Sequence, residues 1–248
     1  MYIGKYNAPD YERLLSEGCD LCVENTMIFH NPEAKELIEK LSIPVIVDKS
    51  SYEEDPLGRM EWIKLYGCLM EKREEAERFF DEKAAEVEKT LSAVANDAEE
   101  TKTKTVAFFY ITANGQVSIR KPGDYITRMI ELAGGSYVFS DPDFGEEGSP
   151  GGSSMTISME EFYDKAREAD ILIYNSTIDA ELQTIDELLL KSPLLADFSA
   201  VQKGNVWGTE KDLFQEITGT ADMIRSLSLV INGEGKETGS PEYMHKLI

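Results

Sequence analysis

Apolar positions along this chain recur with two different periods, and the alternation between them predicts the architecture. Residues 9–17 and 32–41 place apolar side chains at helical spacing, while residues 19–24 and 43–47 are short apolar runs bounded by turn formers. The opening segment therefore reads helix, strand, helix, strand. Asp10 is positioned to cap the first helix, and Pro32 to occupy the first turn of the second. Pro56 and Gly58 then punctuate a loop, with a helical stretch expected from residue 61. From residue 71 to residue 98 there is neither Gly nor Pro, and Ala76, Phe80, Ala84, Val87, Leu91 and Val94 fall at steps of four and three. That pattern predicts one amphipathic helix of roughly seven turns. Its buried stripe is narrow and the rest of its circumference is charged, as in a strut between two bodies.

A second series begins beyond it. Residues 105–111 read as an apolar strand, 124–133 as a helix closed by Gly134 and Gly135, and 137–139 as a short extended piece. A Gly, Ser and Pro-rich stretch over 145–154 reads as an exposed loop. Ser158 opens a helix leading to a strand at 171–174; helix follows over 181–191, strand over 206–208 and helix over 221–231. Such alternation is the signature of an α/β fold with mainly parallel sheets flanked by helices. The expected organisation is a partial first lobe over residues 1–70, a linker helix over 71–100 and a second α/β lobe over 101–248. Two strands do not make a stable sheet alone. The expectation is therefore that the first lobe is incomplete, its other strands preceding Met1 in a longer product. In the competing account, residues 1–70 dock as an appendage on the second lobe. An unpaired sheet edge would favour self-association.

Charge narrows the function. Forty-seven acidic residues against twenty-five basic ones give a formal net charge of −22, which repels nucleic acid and anionic lipid. Three cysteines cannot form a disulfide framework; Cys19 and Cys22, placed along one strand, would face opposite ways as buried, inert thiols. No apolar run is long enough to cross a membrane, and the first residues lack the pattern of an export signal. Dinucleotide-binding, phosphate-loop and serine-elbow motifs are absent, and there are two histidines, so no cofactor and no enzyme activity are indicated. His30 with a neighbouring carboxylate is a minor option for direct metal binding.

Two places repeat one local design. Asp10 with Glu12, and Ser158 with Glu160, each put a capping residue ahead of a carboxylate in the opening turn of a helix that runs into a buried strand. The helix dipole favours a carboxylate there by about 0.3–1 kcal/mol, which explains both as simple stabilisers. Glu161 also stands where a capping box would place a glutamate, which leaves it and Glu160 hard to separate.

A set of ordered motifs accompanies them: Ala8-Pro-Asp-Tyr-Glu12, Cys19-Asp-Leu-Cys-Val-Glu24, Leu41-Ser-Ile-Pro-Val45, Ile63-Lys-Leu-Tyr-Gly67 and Glu74-Glu-Ala-Glu77 in the first part. Met129-Ile-Glu-Leu-Ala-Gly-Gly135, Ile157-Ser-Met-Glu160, Ala169-Asp-Ile-Leu-Ile173 and Ala200-Val-Gln-Lys-Gly-Asn-Val206 follow. In order and spacing the chain resembles the class III substrate-binding proteins of ABC importers, those of the cobalamin, haem and ferric-siderophore type. The resemblance implies two α/β lobes joined by one rigid helix, with a metal chelate or macrocycle held in the cleft between them. It also implies an extracytoplasmic protein, periplasmic or lipid-anchored, that delivers its ligand to a membrane permease. The permease-docking glutamates of that family map onto Glu12 and Glu160.

Ligands of open α/β sheets gather beyond the carboxyl ends of the strands. That rule nominates Tyr52, Tyr110, Tyr174 and Trp207 as stacking surfaces, Asn175 as a polar contact and Arg59 as a partner for an anionic ligand. The competing readings are an intracellular α/β interaction or metallo-cofactor-handling protein, and a hydrolase using cleft residues as acid and base.

Overall fold

In the computed structural model the described residues are 3–98, 102–145, 153–179, 181–211, 213, 217–233 and 240–248. They form two compact units, Met1–Glu53 and Glu54–Ile248. The second unit thus begins ahead of the long helix, earlier than the expected lobe boundaries.

The first unit starts with a hairpin of β1 (Gly4–Lys5) and β2 (Ala8–Pro9). Helix α1 (Tyr11–Ser16) is shorter than expected; Asp10 caps it by accepting the Arg13 N–H at 3.0 Å. Strand β3 (Cys22–Asn25), a 3-10 turn over Thr26–His30, α2 (Pro32–Lys40) and β4 (Val45–Asp48) follow. The two strands pair in parallel, Cys22 opposite Val45 and Asn25 opposite Asp48. Leu14, Cys22, Ile38 and Ile43 form a small core. Because β3 begins only at Cys22, Cys19 lies outside the strand and does not point away from its neighbour. The two sulfurs are 3.8 Å apart. Burial, together with the hydrogen bond to Cys19, pushes the Cys22 thiol up to about 12.

The second unit opens with α3 (Pro56–Leu69). Here sequence reasoning places the start too late: Asp55 accepts the N–H groups of Leu57 and Gly58 at 2.8 and 3.2 Å, and Pro56 occupies the first helical position. Pro56 and Gly58 belong to the helix, not to a loop. A turn at Glu71, whose φ is 58°, reverses the chain into α4 (Arg73–Ala98). Gly67 permits the close crossing, since a Cβ on it would lie 2.5 Å from that of Ala76. α4 packs along α3 and α9, burying Ala76, Val87 and Thr90.

The remaining elements are β5 (Thr105–Ile111), β6 (Val117–Arg120), α5 (Tyr125–Leu132), β7 (Ser136–Tyr137), β8 (Ser154–Ile157), α6 (Met159–Ala166), β9 (Ile171–Tyr174), α7 (Ile185–Lys191), α8 (Ser199–Gln202), β10 (Val206–Thr209), α9 (Thr220–Asn232) and β11 (Met244–Lys246). They build an α/β unit whose sheet runs β11-β10-β9-β5-β6-β8. β10, β9, β5 and β7 are parallel, whereas β11, β6 and β8 are added antiparallel to their neighbours. One edge of β5 is shared: Thr105 and Val106 pair with β7, and Phe109 to Ile111 with β6. Phe139, Phe162 and Phe198 stack through the core, and Phe109 packs tilted on Phe162 at 4.5 Å between centroids. The helix expected over 181–191 starts only at Ile185, where Thr184 and Glu187 close a capping box. Most of the loop expected over 145–154 lies outside the described residues.

Candidate ligand site

Because β5, β9 and β10 are parallel, their carboxyl ends share one edge of the second unit's sheet. The segments leaving that edge build a cavity of about 500 Å³. From β5 come Tyr110, Ile111 and Thr112, held by a tight turn in which the Thr112 N–H donates to Gln116 O at 2.8 Å. From beyond β9 come Ile178 and Asp179, and from the end of α7 come Leu190 and Lys191. Lys191 donates to Asp179, which holds its ammonium above the ordinary lysine range. Ile178 and Leu190 are largely exposed, so apolar rim residues stand beside the Lys191–Asp179 ion pair, one phenol and one hydroxyl. Such a mixed lining suits a ligand that combines apolar surface with polar or charged groups.

Tyr174 lies behind this lining. Its ring is fully buried, edge-on to Phe109 at 5.6 Å, and so offers no stacking face. The hydroxyl lies near the Ile111 backbone without reaching hydrogen-bonding geometry. Burial raises its pKa, and the nearby Lys191 ammonium pulls it back. The structure thus brings Tyr110 and Tyr174 together with Lys191 and Asp179, two residues that sequence reasoning did not single out. Their signal is tertiary, because Asp179 and Lys191 stand on opposite sides of a capping box and are joined only by the fold.

Asn175 is committed to its own turn. Its Oδ1 accepts the N–H of Thr177 at 3.2 Å and the Thr177 hydroxyl at 2.7 Å, while its N–H donates to Phe109 O at 2.7 Å. Trp207 sits in β10 between β9 and β11, partly buried against the core. Arg59 is 8% exposed on α3, its guanidinium carbon 3.8 Å from the centroid of the Tyr125 ring. Rather than extending from a loop, it stacks on α5.

In the first unit Tyr52 follows β4, is 59% exposed, and its hydroxyl accepts from Thr26 Oγ1 at 3.2 Å. Glu12 stands exposed in the first turn of α1, and Glu160 and Glu161 in that of α6. Ser158 accepts the Glu161 N–H at 3.1 Å, so the cap uses the backbone of Glu161 and leaves the Glu160 carboxylate in solvent. His30 is exposed at the end of the 3-10 turn. Among the described residues, the group of three side chains spaced for a metal ion is Glu181, Glu210 and His245, and His30 is not in it. No helix among the described residues is long and apolar enough to cross a membrane.

Comparison with known proteins bears on this arrangement at three levels. Solved structures share the fold: a periplasmic haem-binding protein from Pseudomonas aeruginosa superposes with a TM-score of 0.72 at 14% identity, over 99% of this chain and 83% of that one. The periplasmic haem-binding protein HutB of Vibrio cholerae gives 0.67 at 18% identity, over 91% and 82%. Among curated sequences, an uncharacterized lipoprotein of Methanocaldococcus jannaschii is 27% identical over 239 residues, 94% of this chain and 52% of its own length. A second protein of that organism is 28% identical over 209 residues, 84% of this chain and 58% of its own. The chain thus spans about half the length of the curated relatives it matches. The family model described as periplasmic binding protein matches residues 2–213, which takes in the first unit and the sheet edge that builds the cavity. Its members bind solutes and are not enzymes, and the chain belongs to this periplasmic binding protein family.

Proposed function

We propose that this protein is the extracytoplasmic solute receptor of an ABC importer and that its ligand is an iron chelate, haem or a corrinoid. The observation that carries the reading is the cavity at the carboxyl edge of the second unit's sheet, where Lys191, Tyr110 and Thr112 stand inside an apolar rim of Ile178 and Leu190. Haem and ferric chelates combine a broad apolar or aromatic body with carboxylate, hydroxamate or catecholate oxygens. Apolar side chains beside an ammonium and two hydroxyl groups, with Asp179 able to yield Lys191 to an anionic ligand, fit that combination. The names of similar solved structures agree with it: those from Pseudomonas aeruginosa and Vibrio cholerae are haem-binding proteins, and another belongs to a ferric-hydroxamate transport system of Saccharomonospora viridis. The likeness to a lipoprotein supports a place outside the cytoplasm. In this reading Glu12 and Glu160 meet cationic residues of the permease, Arg59 and Asn175 shape the second unit from within, and Tyr52 and Trp207 are candidate ligand contacts, each on its own unit.

Quenching of tryptophan emission by haem, a ferric hydroxamate and cobalamin tests the proposal. One of the three is expected to bind saturably at one per chain, and Lys191→Met to weaken an anionic ligand about tenfold, the loss of one charge-assisted contact worth about 1.5 kcal/mol. Absence of saturable binding by all three would remove the reading.

A further inference from the structure

At the same edge of the sheet, apart from the cavity lining, three side chains from three separate segments converge. Glu181 follows β9, Glu210 follows β10 and His245 lies in β11, and their ligating atoms are all within 4.8 Å of one another. The ring of His245 is fixed. Its Nε2 stands 2.6 Å from the carbonyl oxygen of Leu182, and a carbonyl only accepts, so Nε2 carries a hydrogen. Nδ1 then faces two acceptors, Glu210 Oε1 at 2.9 Å and Glu181 Oε1 at 3.9 Å. Three electron-rich groups turned toward one point require positive charge there. A proton on Nδ1 serves one acceptor, and at these distances that is Glu210. Glu181 Oε1 accepts from Gln183 Nε2 at 2.6 Å and, at 3.9 Å from Nδ1, does not share that proton, so its charge at this point is met by a neutral donor alone.

We propose that Glu181, Glu210 and His245 bind a divalent first-row transition metal of the zinc class, through Nδ1 and one oxygen from each carboxylate. One imidazole and two carboxylates are a donor set for such a metal with a fourth position left for water or an added ligand. Two carboxylates and a neutral ring carry a charge of −2, which the ion cancels. The surroundings are those of a ligand shell. Leu182 O takes the distal ring hydrogen, and Gln183 Nε2 donates to Glu181 Oε1 at 2.6 Å, so ring and carboxylate are both oriented from outside. Gly208 gives the ring its room, since a Cβ there would come within 2.9 Å of Nε2. The ion would tie β11 to the segments that leave β9 and β10, and none of its ligands lines the cavity, so this site and the receptor reading stand or fall separately.

The test is calorimetric titration of the untagged, chelator-stripped chain with Zn²⁺, paired with thermal unfolding. One Zn²⁺ per chain is expected, with a raised midpoint of unfolding. Glu181→Gln and Glu210→Gln, which keep the shape and leave the Leu182 anchor intact, should each weaken binding by at least about tenfold. Glu88→Gln, on the exposed face of α4, should leave it unchanged and controls for the acidic surface. Mg²⁺ at equal concentration should not compete, since it prefers octahedral oxygen ligands. Lack of stoichiometric Zn²⁺ binding, or equal affinity in the two triad variants and the wild type, overturns the proposal and leaves the cluster as an imidazolium ion pair.

Discussion

Asp170 and Thr105 bond each other in both directions and so lock the starts of β9 and β5 together. The Asp170 carboxylate accepts the Thr105 N–H and hydroxyl, each at 2.9 Å, while the Asp170 N–H reaches Thr105 Oγ1 at 3.0 Å. Burial raises the pKa of this carboxyl, but the hydrogen bonds from Thr105, with Lys102 and Lys203 nearby, outweigh that and hold it below the ordinary range. A depressed folded-state pKa means stability that is present above the unfolded value of about 3.9 and is lost as pH falls through the folded value. Asp170→Asn should therefore unfold more easily by about 1–2 kcal/mol at neutral pH. Its deficit against the wild type should shrink in melts taken below pH ~4. A deficit constant down to the acid limit would show that the charge of Asp170 is not involved.

Arg120 and Asp124 form a forked ion pair, Nε to Oδ1 at 2.7 Å and Nη2 to Oδ2 at 3.0 Å, with the side chains 13% and 4% exposed. Asp124 also caps α5 through the Ile126 N–H. Removing one charge strands the other in a poorly hydrated place. Asp124→Ala is expected to cost about 3–5 kcal/mol in urea unfolding. The double substitution Arg120→Met, Asp124→Ala should cost less than the sum of the two single changes, and additivity within ~0.5 kcal/mol would refute the coupling.

Gly67 sits where α3 crosses α4, with Lys72 O 3.1 Å and Ala76 Cβ 2.5 Å from any added Cβ. Gly67→Ala should destabilise the second unit by about 1–3 kcal/mol through overpacking. Pairing it with Ala76→Gly should recover much of the loss. No recovery would place the strain elsewhere.

Docking through Glu12 and Glu160 predicts a separation of effects. Glu12→Lys and Glu160→Lys, both at exposed positions, should leave ligand affinity intact and lower thermal stability only slightly, by about 0.3–1 kcal/mol from the helix dipole. Ligand-stimulated ATP hydrolysis by the reconstituted permease should fall for each, and further for the pair. Unchanged stimulation in the double variant would count against these positions as the contact. Glu161→Lys is the control that separates the two neighbours on α6.

What the sequence made legible, and what it hid, follows from where each element gets its stability. β5 and β9 are dense apolar runs buried on both faces, and α5 announces itself through Asp124 and the Gly134-Gly135 stop, so periodicity alone places them. β6, β8 and β11 went unforeseen. Each is three or four residues long and antiparallel to its partner, so pairing rather than local pattern defines it. Strand alternation does not apply to Cys19, because the strand begins only at Cys22. Arg59 has the sequence context of a loop residue because proline marks breaks as well as helix starts, and here Pro56 opens a helix. At the candidate sites, Tyr110 could be named from its place at a strand end. Lys191, Glu210 and His245 could not, since they meet their partners across 12, 29 and 64 residues counted from Asp179 and Glu181.

The chain has two tryptophans, Trp62 in α3 and Trp207 in β10, and both belong to the second unit. The first 53 residues consequently carry no indole of their own. If the smaller unit melts at its own temperature, a tryptophan-monitored curve will report a single clean transition while far-ultraviolet dichroism, which samples the backbone of both, begins to change at another. Agreement between the two optical signals is thus a direct measure of whether Met1–Glu53 shares the cooperativity of its larger companion.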